Sequence, residues 1–206
     1  MSDFVPSRLL LWYNARAMTP GNERKNTGVS LRNGFASLKS NGVCSEETWK
    51  YLPYGDWDET TKVFKANARA GQKPPDAAYE TAFKPEGFVY KRINPNLKDL
   101  KACLAEGYPF VFGVICDALF TKAARSGKID RYPDSEYYIP ATSGHAIMAI
   151  GYDDTEECFI IQNSWGLVHG ANKSGYFKMT YHVFTEDTSG PRADSGFNFW
   201  TIRLKT

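Results

Sequence analysis

A histidine and an asparagine eighteen residues apart carry the clearest chemical signal in this chain. His145 opens an apolar run, Ala146–Tyr152, and Asn163 closes a second one, Cys158–Gln162; the acidic cluster Asp153-Asp154-Thr155-Glu156-Glu157 lies between them. Two apolar runs around a polar turn predict a β-hairpin. A turn centred on residue 154 would set His145 directly opposite Asn163 on one face, with Cβ atoms roughly 4.5–5.5 Å apart, within reach of a side-chain hydrogen bond. An Asn oxygen on one imidazole nitrogen fixes the tautomer and leaves the other as a base. With a thiol in front of it, such a histidine becomes the base of an acyl-transfer site.

The surrounding words extend this pattern. Gly144-His145-Ala146 precedes the first strand, Asn163-Ser164-Trp165-Gly166 follows the second, and Gly175-Tyr176-Phe177 comes after. Each is weak alone, but in this order the set resembles the His and Asn motifs of papain-like cysteine peptidases. The resemblance implies that His145 is the general base, that Asn163 orients it, that Trp165 shields their hydrogen bond from water, and that Gly144 and Trp165 are among the substrate-binding residues. It also implies that Gly28 and Val29, a small-residue strip before a helix, lie where substrate backbone would pass. No metal or organic cofactor is implied; the partner is a peptide or protein substrate.

Composition sets outer bounds. The chain has 206 residues, is 42% hydrophobic, and carries 25 basic against 23 acidic residues for a net charge of +2. Interspersed charges offer no single-sign field for a phosphate backbone, which argues against nucleic-acid binding. No apolar run approaches the ~18 residues of a membrane span, and Met1-Ser2-Asp3-Phe4 does not read as a signal peptide. The compartment is therefore unassigned, cytoplasmic by default. The cysteines Cys44, Cys103, Cys116 and Cys158 form no C-x-x-C pair. They read as buried free thiols rather than a zinc site or a disulfide framework.

The elements that must position these residues follow from periodicity. Pro6–Arg16 reads as an apolar helix with Ser7 near its start. Ser30 caps a helix over 31–41 with Leu31, Phe35 and Leu38 on a core-facing stripe, and Gly42 ends it. Residues 55–87 read as a long surface connection anchored by few apolar residues. A boundary is expected near Phe88-Val89-Tyr90. After it come a capped helix over 96–107, a buried strand Phe110–Cys116, the hairpin, and strands Gly175–Val183 and Phe197–Leu204. Helices first and antiparallel strands later make an α+β chain. The expected division is 1–89, a helical lobe remnant, and 90–206, a β-rich lobe carrying the His and Asn. Papain-like folds share this two-lobe order, with the substrate cleft between the lobes.

Two departures from the family pattern set the functional expectation. The nucleophilic cysteine of papain-like enzymes precedes the histidine by roughly 130–150 residues, and no cysteine lies that far before His145 here. The second tryptophan expected after Asn163-Ser164-Trp165-Gly166 is replaced by His169, in a loop that looks longer than usual and reads as surface; His182 reads as a structural strand residue. The expectation is a papain-like peptidase domain beginning after its central helix, without its nucleophile and inactive as given. The alternative is a non-catalytic pseudoenzyme that binds a peptide or protein partner. An amide-forming transferase would use the same triad.

Overall fold

The computed structural model describes residues 4–52, 55–84, 86–115, 126–129, 144–167, 170–185 and 198–204. Its backbone divides into two compact units, one running to Val89 and taking in Leu204, the other spanning Tyr90–Arg203.

The first unit is built on α1 (Arg8–Ala17) and α2 (Leu31–Asn41). Ser7 caps α1, its Oγ accepting from the Leu10 N–H at 3.2 Å and donating to the Trp49 carbonyl at 2.6 Å. Its neighbour Arg8 is tied to Glu46. That carboxylate, only 9% exposed, takes the Arg8 guanidinium at 2.6 Å, the Arg8 N–H at 3.1 Å and the Tyr51 N–H at 2.7 Å. Burial works against the charge, but the Arg8 guanidinium and the two backbone donors outweigh it and hold the Glu46 carboxyl below the usual carboxylate range. A depressed folded-state pKa contributes stability that is present above about pH 4.3 and is lost as pH falls through the lower folded value. Glu46→Gln is expected to lower stability at neutral pH by about 2 kcal/mol and to flatten the acid limb. An unchanged acid midpoint in denaturant titrations from pH 2 to 7 would refute this account.

The core of this unit gathers Leu9, Leu10, Cys44 and Trp49 with Phe64, Ala68, Ala70 and Ala78. The last four come from the stretch expected to be a surface connection. It instead holds a 3-10 turn, Arg69–Gly71, and α3, Asp76–Glu80, and supplies half of the buried cluster. Alanines and a glycine pack around the one large residue, Phe64: a Cβ added at Gly71 would come within 2.4 Å of the Phe64 Cβ. Conversely α2, expected as a core helix, buries only Ser37, while Leu31, Phe35 and Leu38 are half-exposed.

The second unit is a sheet with α4 (Leu97–Ala105) and the short α5 (His182–Thr185) on one face. Asn96 caps α4 through its side-chain oxygen on the Asp99 N–H. The strands are β1 (Phe88–Ile93), β2 (Phe110–Ile115), β3 (Lys128–Ile129), β4 (Gly144–Asp153), β5 (Cys158–Gln162), β6 (Tyr176–Thr180) and β7 (Phe199–Leu204). Their order is β1-β7-β2-β4-β5-β6-β3. β2 pairs antiparallel with β4 and β7, β5 with β4 and β6, while β3 runs parallel to β6. Alternation puts Phe110, Phe112, Ile147, Ala149, Phe159, Ile161, Phe177, Met179 and Phe199 on one buried face.

The strand expected over Gly175–Val183 stops at Thr180, and His182 is an exposed residue of α5 rather than a strand position. Cys116, His169 and Phe197 lie outside the described residues. Helices and an antiparallel-rich sheet make the α+β class expected from the element order. No helix among the described residues is long and apolar enough to cross a membrane.

Candidate active site

His145 is the second residue of β4 and Asn163 the first beyond β5, so the β4–β5 hairpin positions both. The hairpin's register differs from the sequence reading. Asp153 pairs with Cys158, Tyr152 with Phe159 and Gly151 with Ile160; a bulge at Ile150 then shifts the ladder, so that Ala149 pairs with Ile161 and Met148 with Gln162. Continued past Gln162, this ladder carries Asn163 to the level of Ile147, one diagonal step from His145 on the same face. The Asn163 side chain spans that step, and His145 Nε2 lies 2.8 Å from Asn163 Oδ1. The contact is the expected one although the register is not: the turn itself pairs Asp153 with Cys158 rather than Thr155, and the extra residue at the bulge then moves the ladder by one, which returns Asn163 to the face of His145.

The hydrogen bonds around the amide decide which nitrogen of His145 carries the proton. Asn163 Oδ1 also accepts the Ser164 backbone N–H at 2.8 Å. An atom that accepts from a backbone N–H is the oxygen, so His145 Nε2 must be the donor in the neutral ring, and the lone pair sits on Nδ1. Asn163 is held in turn by its own N–H, which donates to the Gly175 carbonyl at 3.0 Å. Gly175 sits at φ 79°, in the left-handed region that suits glycine. The Asn163 Nδ2 is buried and has no hydrogen-bond partner among the described residues.

Trp165 lies over the imidazole, ring centroids 4.8 Å apart and planes 25° from parallel. It also packs against the apolar core of the same unit. The stack covers one face of the ring and restricts the rotation that would break the Nε2 hydrogen bond. Gly144 is exposed at the start of β4, and a Cβ there would come no nearer than 4.0 Å to the Val114 carbonyl, so packing does not demand a glycine. The bond is part-buried, which strengthens it relative to one in bulk water.

Gly28 and Val29 belong to the first unit. Both are exposed, Val29 at 38%, with open space around Gly28. They extend from Thr27, whose carbonyl accepts the Trp12 indole N–H at 3.3 Å, into the Ser30 cap of α2.

The described cysteines are all buried. Burial pushes the Cys44 and Cys158 thiols up. Cys158 pairs with Asp153 beside the hairpin turn, at the far end of β5 from Asn163. Cys103 Sγ donates to the Tyr108 carbonyl at 3.3 Å and lies 3.8 Å from the Arg203 guanidinium. Among the described residues no group of three His, Cys, Asp or Glu side chains is arranged to hold a metal ion.

Residues 21–189 match the model of the papain family cysteine proteases. An uncharacterised peptidase C1-like protein of Acanthamoeba polyphaga mimivirus is 30% identical over 212 residues, covering 98% of this chain and 60% of its own length. The chain thus spans about three-fifths of that curated relative. Among solved structures, xylellain, a cysteine protease from Xylella fastidiosa, superposes with a TM-score of 0.80 at 32% identity, covering all of this chain and 72% of that one. The bromelain protease of Ananas comosus shares the fold at a TM-score of 0.60 and 20% identity, over 98% of this chain and 79% of its own. The chain belongs to the papain family of cysteine proteases and has its α+β fold.

Proposed function

We propose that this chain carries the base half of a papain-type site for peptide-bond hydrolysis, with His145 as general base and Asn163 as its positioning partner. The observation that carries the reading is the 2.8 Å contact from His145 Nε2 to Asn163 Oδ1 beneath Trp165. In such a site Nδ1 takes the proton of a cysteine thiol, and the thiolate attacks the peptide carbonyl. The imidazolium then protonates the departing amine, and water hydrolyses the thioester, returning the thiol. Asn163 stabilises the imidazolium in one orientation throughout. Peptides or proteins are the substrates; in the second unit Gly144 and Trp165 are the proposed substrate-binding residues beside the base, and in the first unit Gly28 and Val29 are the proposed backbone-binding strip.

We also propose that the 206-residue chain does not turn over by itself. The buried positions of Cys44, Cys103 and Cys158 support this, because a desolvated thiol is a poor nucleophile. A thiol-directed epoxide probe is expected to give no His145-dependent labelling; labelling lost in His145→Ala would establish an active nucleophile, and Cys116 is covered by the same test. If labelling is absent while peptides still bind, the non-catalytic peptide-binding reading stands.

The His–Asn arrangement has its own readout. Nitrogen-15 spectra of the imidazole are expected to show the Nε2–H tautomer in the wild type and a loss of that preference in Asn163→Ala. A wild-type ring protonated on Nδ1 alone would remove the basis for the base assignment.

A further inference from the structure

The second unit has an open groove at the turn end of the β4–β5 hairpin, remote from His145. It has a volume of about 710 Å³, and α4 forms one lip and the hairpin turn the other. Tyr152 lies in it, seven residues along β4 from His145, or roughly 20 Å at the rise of an extended strand. Its floor is mostly apolar: Leu97, Ala102, Tyr152 and Tyr181 line it, together with the Lys101–Asp154 pair. The tyrosine rings are fixed by charge. Lys101 Nζ lies 5.1 Å from the Tyr152 ring centroid and 5.5 Å from that of Tyr181. It also pairs with Asp154 Oδ1 at 2.5 Å, the oxygen that accepts the Tyr181 hydroxyl at 2.8 Å. Burial, with Asp154 beside it, pushes the Tyr181 phenol up, so the hydroxyl stays a donor. The turn is pinned as well, with Asp153 Oδ1 accepting the N–H groups of Thr155 and Glu156.

The Lys101–Asp154 pair satisfies itself, which leaves two other charges uncommitted. Lys98 on the α4 lip and Glu157 on the hairpin lip are both exposed, and neither makes an ion pair or side-chain hydrogen bond among the described residues. A prearranged apolar floor between lips of opposite sign fits a convex, extended segment rather than a second concave copy of itself. In an extended peptide, residues i−2, i and i+2 project to one side. An apolar residue at i then enters the groove, while an acidic residue faces Lys98 and a basic residue faces Glu157.

We infer that the groove between α4 and the β4–β5 turn is a docking site for an extended peptide segment that carries an apolar side chain between an acidic and a basic one. The site lies outside the His145–Asn163 cluster and needs no nucleophile. Its remoteness from that cluster makes the occupant an extended segment of a partner protein.

The test uses the full chain and three capped, fluorescein-labelled peptides: Gly-Asp-Gly-Phe-Gly-Lys-Gly and its counterparts with two Asp or two Lys. Fluorescence anisotropy should rank the mixed-charge peptide first for the wild type. Lys98→Glu should shift the preference to the doubly basic peptide and Glu157→Lys to the doubly acidic one, each by about two- to fivefold, as befits exposed pairs. Ala102→Trp, which fills the groove from an exposed helical position, should abolish binding, and His145→Ala should leave it unchanged, which separates this site from the proposed catalytic one. The assignment is overturned if no peptide binds at millimolar concentration, if the ranking ignores both charge reversals, or if Ala102→Trp has no effect. It is equally overturned if sedimentation shows self-association that Ala102→Trp disrupts, since the groove's occupant would then be a second copy.

Discussion

Replacing Arg16 with alanine is expected to destabilise the first unit by about 3–5 kcal/mol, one of the two largest single-residue effects anticipated here. Arg16 is 1% exposed on α1, yet among the described residues it makes no ion pair. Its guanidinium is spent on carbonyls, donating to Lys25 at 2.7 Å, to Trp12 at 3.4 Å and to Ala70. It lies 4.0 Å from the Trp12 ring centroid and 5.3 Å from that of Phe64. Burial pushes its pKa down to about 10, against the raising influence of Tyr13 and Glu23, so it remains a cation at neutral pH. Truncation orphans carbonyls in a dry core and opens a void beside Phe64, and both effects act in one direction.

Arg16→Met restores volume but not donors and should recover only part of the loss. Chemical denaturation followed by tryptophan fluorescence reads this directly, since Trp12 and Trp57 both contact Phe64 edge-on. A methionine variant as stable as the wild type would mean that the guanidinium is replaceable by apolar volume and that its desolvation cancels its hydrogen bonds.

Phe110→Ala is expected to cost the second unit about 3–5 kcal/mol. Phe110 is fully buried, with ring centroids 5.7–5.8 Å from those of Phe112, Phe159 and Phe199. These rings come from β2, β5 and β7, so the cavity opens where three strands meet and cannot be closed by moving one of them. The same strand holds the site: Phe110 pairs with Ala149 of β4, and four residues on Val114 pairs with His145. Loosening β2 should therefore broaden the His145 imidazole signals as well as lower the unfolding midpoint. A loss below 1 kcal/mol would show that the cluster repacks, and unchanged imidazole signals would show that the ladder does not transmit the damage.

Much of the candidate site was legible because it is local. His145, Asn163 and Trp165 belong to one hairpin and the turn after it, where strand alternation and chain connectivity restrict which side chains can meet. The helix starts were legible for the same reason: Ser7, Ser30 and Asn96 each cap with a side chain three residues from the N–H it accepts. What escaped was non-local or small. The turn is wider than one centred on residue 154, and the bulge at Ile150 then shifts the ladder by one; nothing in an apolar run marks which residue is the extra one. The 55–87 stretch read as a connection because Ala68, Ala70 and Ala78 carry little hydrophobic signal, yet small residues are what let its backbone enter the core.

The sequence by itself determined the α+β class, the His–Asn pairing and the family, because ordered motifs, hairpin punctuation and caps all act within about twenty residues of chain. Only the tertiary structure decided that Arg16 is a buried hub of carbonyls and that the His145 proton sits on Nε2. It alone set Lys101 between two tyrosines above an apolar groove. Each of these depends on groups from distant segments or on hydrogen bonds whose partners no periodicity encodes, so they exist only once the chain has closed on itself.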